Sequence, residues 1–589
     1  MATKLPAKDV AIIGLGWTGA ILANELTDHG LDVVAIERGP WRDTATTFNI
    51  GYVADEWRNY ASQFDLFQRP AQSTLTVRNN AQQTALPVRQ WGSFLPGNGV
   101  GGAGVHWGGQ TWRYLPTDFR LRSHLIERYG AKSIPSELSI QDWGVTYDEL
   151  EPYYDRFEHL AGISGKAGNI KGVIQAGGNP FEGPRSREYP LPPMQNTYGP
   201  TVFAEAARAI GYHPFPSPAA TLSQNYTNPL GVRMAQCTYC GFCVGYACGN
   251  YSKASPQTSI LPVLMRKSNF EARTECEVLK VNLDRSGTRA TGVTYVDSSG
   301  KEWEQPANLV LICTFAFNNV HMMLMSGIGH PYDPKIRQGV VGRNYAYQTI
   351  SGAQVFFDDK IFNPFISSGA SGQSLDDFNG DNFDHGGLGF IGGASITCQY
   401  TDCRPLARLP VPPGTPRWGS QWKGEVKKNY LRSFGFSAQG SSYAAHTNYL
   451  DLDPTYTDRF GRPLLRLTFD FPDNDIRMTN HLAEKLELIA KAMNPRQYVI
   501  SPRTKPYSVV PVQSAHYTGG AVMGTDPKTS AVNKYLQSWD VPNVFVIGSS
   551  AFPQETGYNP TGMVAALAYF SAHAIRTQYL KNPGPLVSV

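Results

Sequence analysis

Val10-Ala-Ile-Ile-Gly14-Leu-Gly16-Trp-Thr-Gly19 joins an apolar run to Gly-x-Gly-x-x-Gly. The run reads as a buried strand. Ala20-Ile-Leu-Ala-Asn-Glu-Leu-Thr-Asp-His29 continues as a helix, which Gly30 ends. Leu31-Asp-Val-Val-Ala-Ile-Glu37 then reads as a second strand closing on an acid. Strand, glycine turn, helix and an acid about 20 residues further on make a dinucleotide-binding βαβ unit. Gly14, Gly16 and Gly19 let the backbone approach a pyrophosphate at a helix N-terminus, where amide donors and the helix dipole favour anions. Glu37 is expected to accept hydrogen bonds from adenosine ribose hydroxyls. The plainer alternative is a tight strand–helix turn without a ligand.

Outward from that unit, the whole chain sets bounds. It has 589 residues, 52 Lys and Arg against 48 Asp and Glu, and a net charge of +4. So small an excess argues against nucleic-acid binding driven by bulk charge. With 41% hydrophobic and 12% aromatic residues the chain can bury a large core, which excludes global disorder. Its 58 Gly and 42 Pro predict many turns and structured loops. The longest apolar run, Leu309–Phe317, falls short of the roughly 20 residues of a membrane-spanning helix and reads as a buried strand. Met1–Val10 shows no apolar signal core and no twin arginine, so export or membrane attachment is expected to come from a partner.

A second glycine cluster is Gly97-Asn-Gly99-Val-Gly101-Gly102-Ala-Gly104-Val-His106-Trp107-Gly108-Gly109-Gln110, followed by Trp112-Arg113-Tyr114. Such a loop lets backbone lie against a large flat ligand. The C-terminal part holds Ser514-Ala-His516-Tyr-Thr-Gly519-Gly520 and then a strand-like Val544-Phe-Val-Ile-Gly548. Gly557-Tyr-Asn559-Pro560-Thr561-Gly562 opens an apolar helix, with Asn559 near its N-cap and Pro560 in its first turn.

With Ser326-Gly-Ile-Gly329 and Val341-Gly-Arg-Asn344, these motifs make the chain resemble, nearly end to end, the glucose-methanol-choline (GMC) oxidoreductases. The resemblance implies an α/β (α+β overall) architecture: a Rossmann-like FAD-binding domain interwoven with an antiparallel-sheet substrate domain. The expected division is 1–345 for the discontinuous FAD domain, including an iron–sulfur segment at 236–256. Residues 346–504 form the substrate domain, and 505–589 complete the FAD domain with the catalytic residues. The cofactor-binding set is Gly14, Gly16, Gly19, Glu37, Gly99, Gly101, Gly102, His106, Trp107, Val278, Gly548, Asn559, Pro560 and Thr561. By resemblance His106 is joined covalently to the flavin 8α carbon; the bland reading is a hydrogen-bonded loop histidine. His516 matches the general base of the family's His-x-x-Gly motif and Asn559 its partner, which would orient the reacting oxygen. Imidazole suits that role because its pKa lies near the working pH. One departure is Leu311-Ile-Cys313-Thr314, where the family usually carries Ala-Gly; it puts the local flavin-phosphate contacts in doubt.

Four of the eight cysteines, Cys237, Cys240, Cys243 and Cys248, fall within twelve residues. Their spacing, C-x2-C-x2-C-x4-C, is close to a ferredoxin pattern, with zinc, disulfides or free thiols as the other readings. The remainder, Cys276, Cys313, Cys398 and Cys403, are scattered. The resemblance is strongest to the flavoprotein subunits of bacterial gluconate, ketogluconate, sorbitol and fructose dehydrogenases. It implies a [3Fe-4S] cluster on Cys237, Cys243 and Cys248, with Cys240 a fourth ligand or a bystander. It also implies oxidation of a sugar acid or polyol, with D-gluconate to 2-keto-D-gluconate in front. Electrons would pass to a multihaem cytochrome c subunit. A small signal-bearing subunit would carry the chain to the periplasmic face of the inner membrane. The rival readings are a dioxygen-using oxidase with a structural four-cysteine zinc, and a flavoprotein that only relays electrons.

Overall fold

The computed structural model describes residues 2–48, 65–67, 74–89, 94–399, 408–510 and 514–588. Its centre is a parallel sheet in which Lys8–Ile13 lies between Val33–Ile36 and the long strand Glu302–Ile312. Phe270–Arg273 extends one side and Val544–Val546 the other, both parallel. Val10, Ala11, Ile12 and Ile13 are all buried, as a strand covered on both faces requires. The first half of Glu302–Ile312 pairs instead with the antiparallel strand Ala290–Val296, which pairs in turn with Glu277–Leu283. One long strand therefore belongs to two arrangements. Helix Trp17–Asp28 covers the parallel sheet and packs on Thr561–Ala574, which also packs on Tyr147–Ala161.

The strand–helix approach explains two of the glycines. A Cβ on Gly19 would stand 2.1 Å from the Gly14 carbonyl oxygen. Gly14 has φ +93°, and a Cβ there would stand 2.9 Å from the carbonyl oxygen of Cys313. The residue at which the chain departs from the family pattern thus packs directly on the nucleotide turn.

A second, six-stranded antiparallel sheet runs in the order Gln497–Ser501, Thr349–Phe356, Ser433–Gly440, Ala394–Gln399, Gly372–Leu375, Phe215–Pro216. One face carries Ala353, Val355, Phe434, Phe436, Ala438 and Ile396, buried in a single apolar cluster with Leu482, Leu486 and Ile489 of helix Asp473–Ala492. Helix Tyr198–Ala209 adds Val202 and Phe203. Each such large side chain contributes roughly 1.5–3 kcal/mol by leaving water. Phe436→Ala would cost about 3–5 kcal/mol.

Pro472 is the N-cap of helix Asp473–Ala492, whose first residue pairs with Lys505 at 2.6 Å. Two boundaries differ from the sequence reading. Pro560 is the N-cap of the last long helix, which starts at Thr561. The run Leu309–Phe317 divides, with its strand ending at Ile312 and a helix starting at Ala316. Apolar character alone does not separate a buried strand from a buried helix. The hairpin Tyr449–Thr457/Pro463–Thr468 lies outside the six-stranded sheet. It joins a four-stranded sheet with Thr76–Arg78, in which Leu467 is opposite Val77.

Candidate active site

A cleft of about 1200 Å³ opens between the parallel sheet, the Gly97–Gly109 loop and the C-terminal motifs. Gly14, Gly16, Glu37, Gly102, His106, Trp107, Val278, His516, Gly548, Asn559, Pro560 and Thr561 all line it. Gly19, Gly99 and Gly101 do not; they shape its wall. Gly101 N–H, for instance, donates to the Leu15 carbonyl at 2.7 Å, tying the second glycine loop to the first. The Glu37 carboxylate accepts from Leu15 N–H at 3.0 Å and from Gly39 N–H at 2.9 Å. That places it at the rim of the nucleotide turn.

His106 is buried, and its ring stands 4.4 Å from that of Phe67. Burial and the nearby Lys253 ammonium push its pKa down to about 3, so the ring is neutral. Its Nε2 has no hydrogen-bond partner. Lys253 is itself buried and spends its protons on the carbonyls of Trp107, Cys243 and Tyr246 at 2.7, 2.8 and 2.6 Å. An orphaned imidazole nitrogen in the wall of a glycine-lined cleft fits FAD, and it fits attachment through that nitrogen.

At the other end, His516 is hydrogen-bonded on both nitrogens. Gln348 sits just before strand Thr349–Phe356. Its Nε2 donates to the carbonyls of Thr556 at 3.1 Å and Tyr558 at 3.2 Å. The amide is thereby oriented with Oε1 toward His516 Nδ1. Since a carbonyl oxygen only accepts, Nδ1 carries the proton and Nε2 carries the lone pair. Asn559 Nδ2 donates to that Nε2 at 3.0 Å. Asn559 is oriented in turn, because its Oδ1 accepts from Trp112 Nε1 at 3.0 Å and Gln439 Nε2 at 2.9 Å. Trp112 stacks on Tyr558 at 5.0 Å, and the Tyr558 hydroxyl donates to Asp376. Burial lowers the His516 pKa to about 4, which keeps the ring a neutral base. Gln348, Trp112 and Gln439 carry no motif that sequence reasoning could use.

The cysteine loop borders the same cleft through Val244 and Gly245. Gly245 N–H donates to the His106 carbonyl at 2.7 Å. Cys237, Cys240, Cys243 and Cys248 form no disulfide; Cys243 is buried and Cys240 exposed. Burial pushes the Cys237 thiol up to about 11 and raises that of Cys243 further. Four thiols with no carboxylate among them are a soft-metal donor set. Among the described residues, however, no three His, Cys, Asp or Glu side chains stand together as a metal-holding group. Cys276, Cys313 and Cys398 are buried elsewhere, and Cys403 lies outside the described residues. His385 is bonded to Asp381 and the Gly392 carbonyl. His321 reaches the cleft wall but is bonded to the Pro463 carbonyl at 2.8 Å.

A nucleotide-binding sheet, a glycine-lined cleft and a polarised His–Asn pair at its far end define an FAD-dependent oxidoreductase acting on alcohols. Residues 144–350 and 444–568 match the N-terminal and C-terminal parts of the GMC oxidoreductase family, and the chain belongs to that family. It is 51% identical over 594 residues to the gluconate 2-dehydrogenase flavoprotein of Pantoea cypripedii, covering 100% of this chain and 96% of the relative. It is 25% identical to the fructose dehydrogenase large subunit of Gluconobacter japonicus, covering 98% and 99% of the two chains. The solved structure of pyridoxine 4-oxidase from Mesorbium loti shares the fold, with a TM-score of 0.60 at 16% identity. That match covers 98% of this chain and 100% of the other.

Proposed function

We propose that the chain is the flavoprotein subunit of a dehydrogenase that oxidises the C2 hydroxyl of D-gluconate to the 2-keto acid. The observation that carries the chemistry is the His516–Asn559 pair with both side chains fixed in orientation. The full-length 51% identity to a gluconate 2-dehydrogenase flavoprotein supports the substrate. Bound FAD, held along Gly14, Glu37, Gly102, His106 and Thr561, supplies a two-electron acceptor for the hydride. His516 Nε2 takes the hydroxyl proton as the carbinol hydrogen leaves. Gln348 keeps Nδ1 protonated, so the basic nitrogen is always the one facing the cleft. On substrate binding Asn559 Nδ2 turns its hydrogen bond from His516 Nε2 to the reacting oxygen, which releases the Nε2 lone pair for the hydroxyl proton and sets the oxygen's approach.

We also assign the cysteine loop as the exit for electrons, through an iron–sulfur cluster to a cytochrome c subunit. A small signal-bearing partner would take the folded chain to the periplasmic face. The four-thiol donor set and the loop's hydrogen bond to His106 support the position. The four thiols are near enough to raise one another's pKa, although among the described residues they do not form a metal-holding group. Two assays test the proposal. D-Gluconate is expected to bleach the flavin anaerobically faster than ketogluconates, alditols or ketoses do; a better substrate among these would overturn the assignment. Iron and acid-labile sulfide are expected in the purified complex, and zinc near one per chain in their place would remove the electron route.

A further inference from the structure

The segment 555–559, which carries Asn559, is tied at every position to residues in the six-stranded sheet or in the turns next to its strands. Glu555 and Ser442 exchange backbone hydrogen bonds, each at 3.2 Å. The carbonyls of Thr556 and Tyr558 accept from Gln348. A Cβ on Gly557 would stand 2.1 Å from Asn379 Oδ1, so glycine lets the segment lie against that turn. The Tyr558 hydroxyl donates to Asp376, and Asn559 accepts from Gln439. Residues distant in sequence from the last helix thus hold the loop that opens it.

The tie at Tyr558 is made by a buried carboxyl group. Asp376 directly follows strand Gly372–Leu375 and is wholly shielded from water. Its Oδ2 accepts from the Tyr558 hydroxyl and from Asn179 Nδ2, the latter at 2.6 Å. Asn179 is itself oriented, because its Oδ1 accepts from Phe181 N–H at 3.0 Å. The Asp376 carbonyl accepts from Asn379 N–H at 3.0 Å and from Asn382 Nδ2 at 2.8 Å. The carboxyl group is therefore fixed from its own side, and it presents a set acceptor to Tyr558. Burying such a group costs free energy unless it is well bonded, so its place calls for a reason.

Tyr558 reaches both members of the His–Asn pair, by different parts. Its ring stacks on Trp112, with centroids 5.0 Å apart and 17° between planes. Trp112 Nε1 donates to Asn559 Oδ1 at 3.0 Å, which turns the Asn559 amide nitrogen toward His516. The Tyr558 carbonyl is one of the two acceptors that turn Gln348 Oε1 to His516 Nδ1. A shift of this one residue would disturb the tautomer of the base and the direction of its partner together. We propose that Asp376 is a positioning residue: by holding the Tyr558 hydroxyl it lets the six-stranded sheet set the orientation of His516 and Asn559 jointly. Asp376 stands outside the cleft wall and acts through Tyr558. The inference rests on the reading of His516 and Asn559 as the reacting pair.

Anaerobic flavin reduction in the holoenzyme tests it. Tyr558→Phe keeps the ring and its stacking and loses the hydroxyl, whereas Asp376→Leu loses the acceptor. Each is expected to lower the limiting reduction rate about fivefold, with KM changed by less than about twofold. The double variant is expected to be about fivefold slow as well, since both substitutions break one connection; independent effects would multiply to about twenty-five-fold. Asp376→Asn retains an acceptor oxygen and should stay within about twofold of the parent rate. If Asp376→Leu does not fold, the fivefold loss in Tyr558→Phe and the near-parent rate of Asp376→Asn decide. The inference is overturned if Tyr558→Phe and Asp376→Leu both reduce the flavin at the parent rate, whatever happens to their melting temperatures. It is also overturned if KM rises while the limiting rate holds, or if the double variant shows the product of the two losses. If D-gluconate fails to bleach the parent flavin, the substrate falls, and the same variants are read with the alcohol that does bleach it. If His516→Ala matches the parent, the reacting pair falls and this inference with it. A slow His516→Ala beside unchanged Tyr558 and Asp376 variants overturns this inference alone.

Discussion

His106, buried, and His516, half-buried, stand in the wall of one cleft, and desolvation holds both imidazoles neutral. Their hydrogen bonding differs. His516 is bonded on both nitrogens, to Gln348 and to Asn559, and those partners are themselves oriented by Thr556, Tyr558, Trp112 and Gln439. His106 keeps Nε2 without a partner beside a cation already committed to three carbonyls. Leaving a buried polar atom unpaired costs about 1–3 kcal/mol, and a fold tolerates that where a further partner is to come. A fully bonded imidazole is a base with a chosen tautomer, whereas His106 keeps Nε2 open to a further partner, which we propose to be the flavin.

Among the residues that surround the two histidines, removing the tautomer lock gives the largest expected effect. Gln348→Leu leaves His516 in place but lets either nitrogen carry the proton, and flavin reduction should slow on the order of a hundredfold. KM should be nearly constant, because Gln348 does not reach the substrate. Asn559→Ala removes one donor to the reacting oxygen and should slow the same step about tenfold. His106→Ala should leave reduction within several-fold of the parent, while acid denaturation releases free FAD that the parent retains. If the parent releases FAD equally, attachment at His106 is wrong, and the contrast between the two histidines shrinks to hydrogen bonding alone.

Stability against acid should show the smallest effect. In the folded chain His516 takes a proton only near pH 4, whereas an unfolded imidazole does so near 6.5. Between those values the unfolded state binds more protons. The depressed pKa therefore destabilises the fold progressively as pH drops from about 6.5 toward 4. His516→Asn cannot titrate, and its melting temperature should fall less over that window. Thermal unfolding at several pH values measures the difference.

The nucleotide turn was legible because its physics is local: strand, glycines and helix lie within twenty-eight residues of the chain start. His516 and Asn559 carried recognisable spacing, and the structure brings them to 3.0 Å. Gln348, Trp112 and Gln439 were not legible. They come from three separate segments, and an amide on a strand has no signature until its neighbours are known. The strand Thr76–Arg78 was hidden for a similar reason, since its partner Pro463–Thr468 lies almost four hundred residues away. The cysteine spacing was plain to read, but spacing does not say whether thiols converge.

The account stands most directly on His516 as the proton acceptor. The decisive measurement is the pH dependence of anaerobic flavin reduction by D-gluconate in the parent and in His516→Ala. The parent should keep its rate as pH falls until an acid limb near pH 4, and the variant should lose about 10²- to 10⁴-fold together with that limb. A variant that reduces the flavin at the parent rate, or that retains the same acid limb, would contradict it.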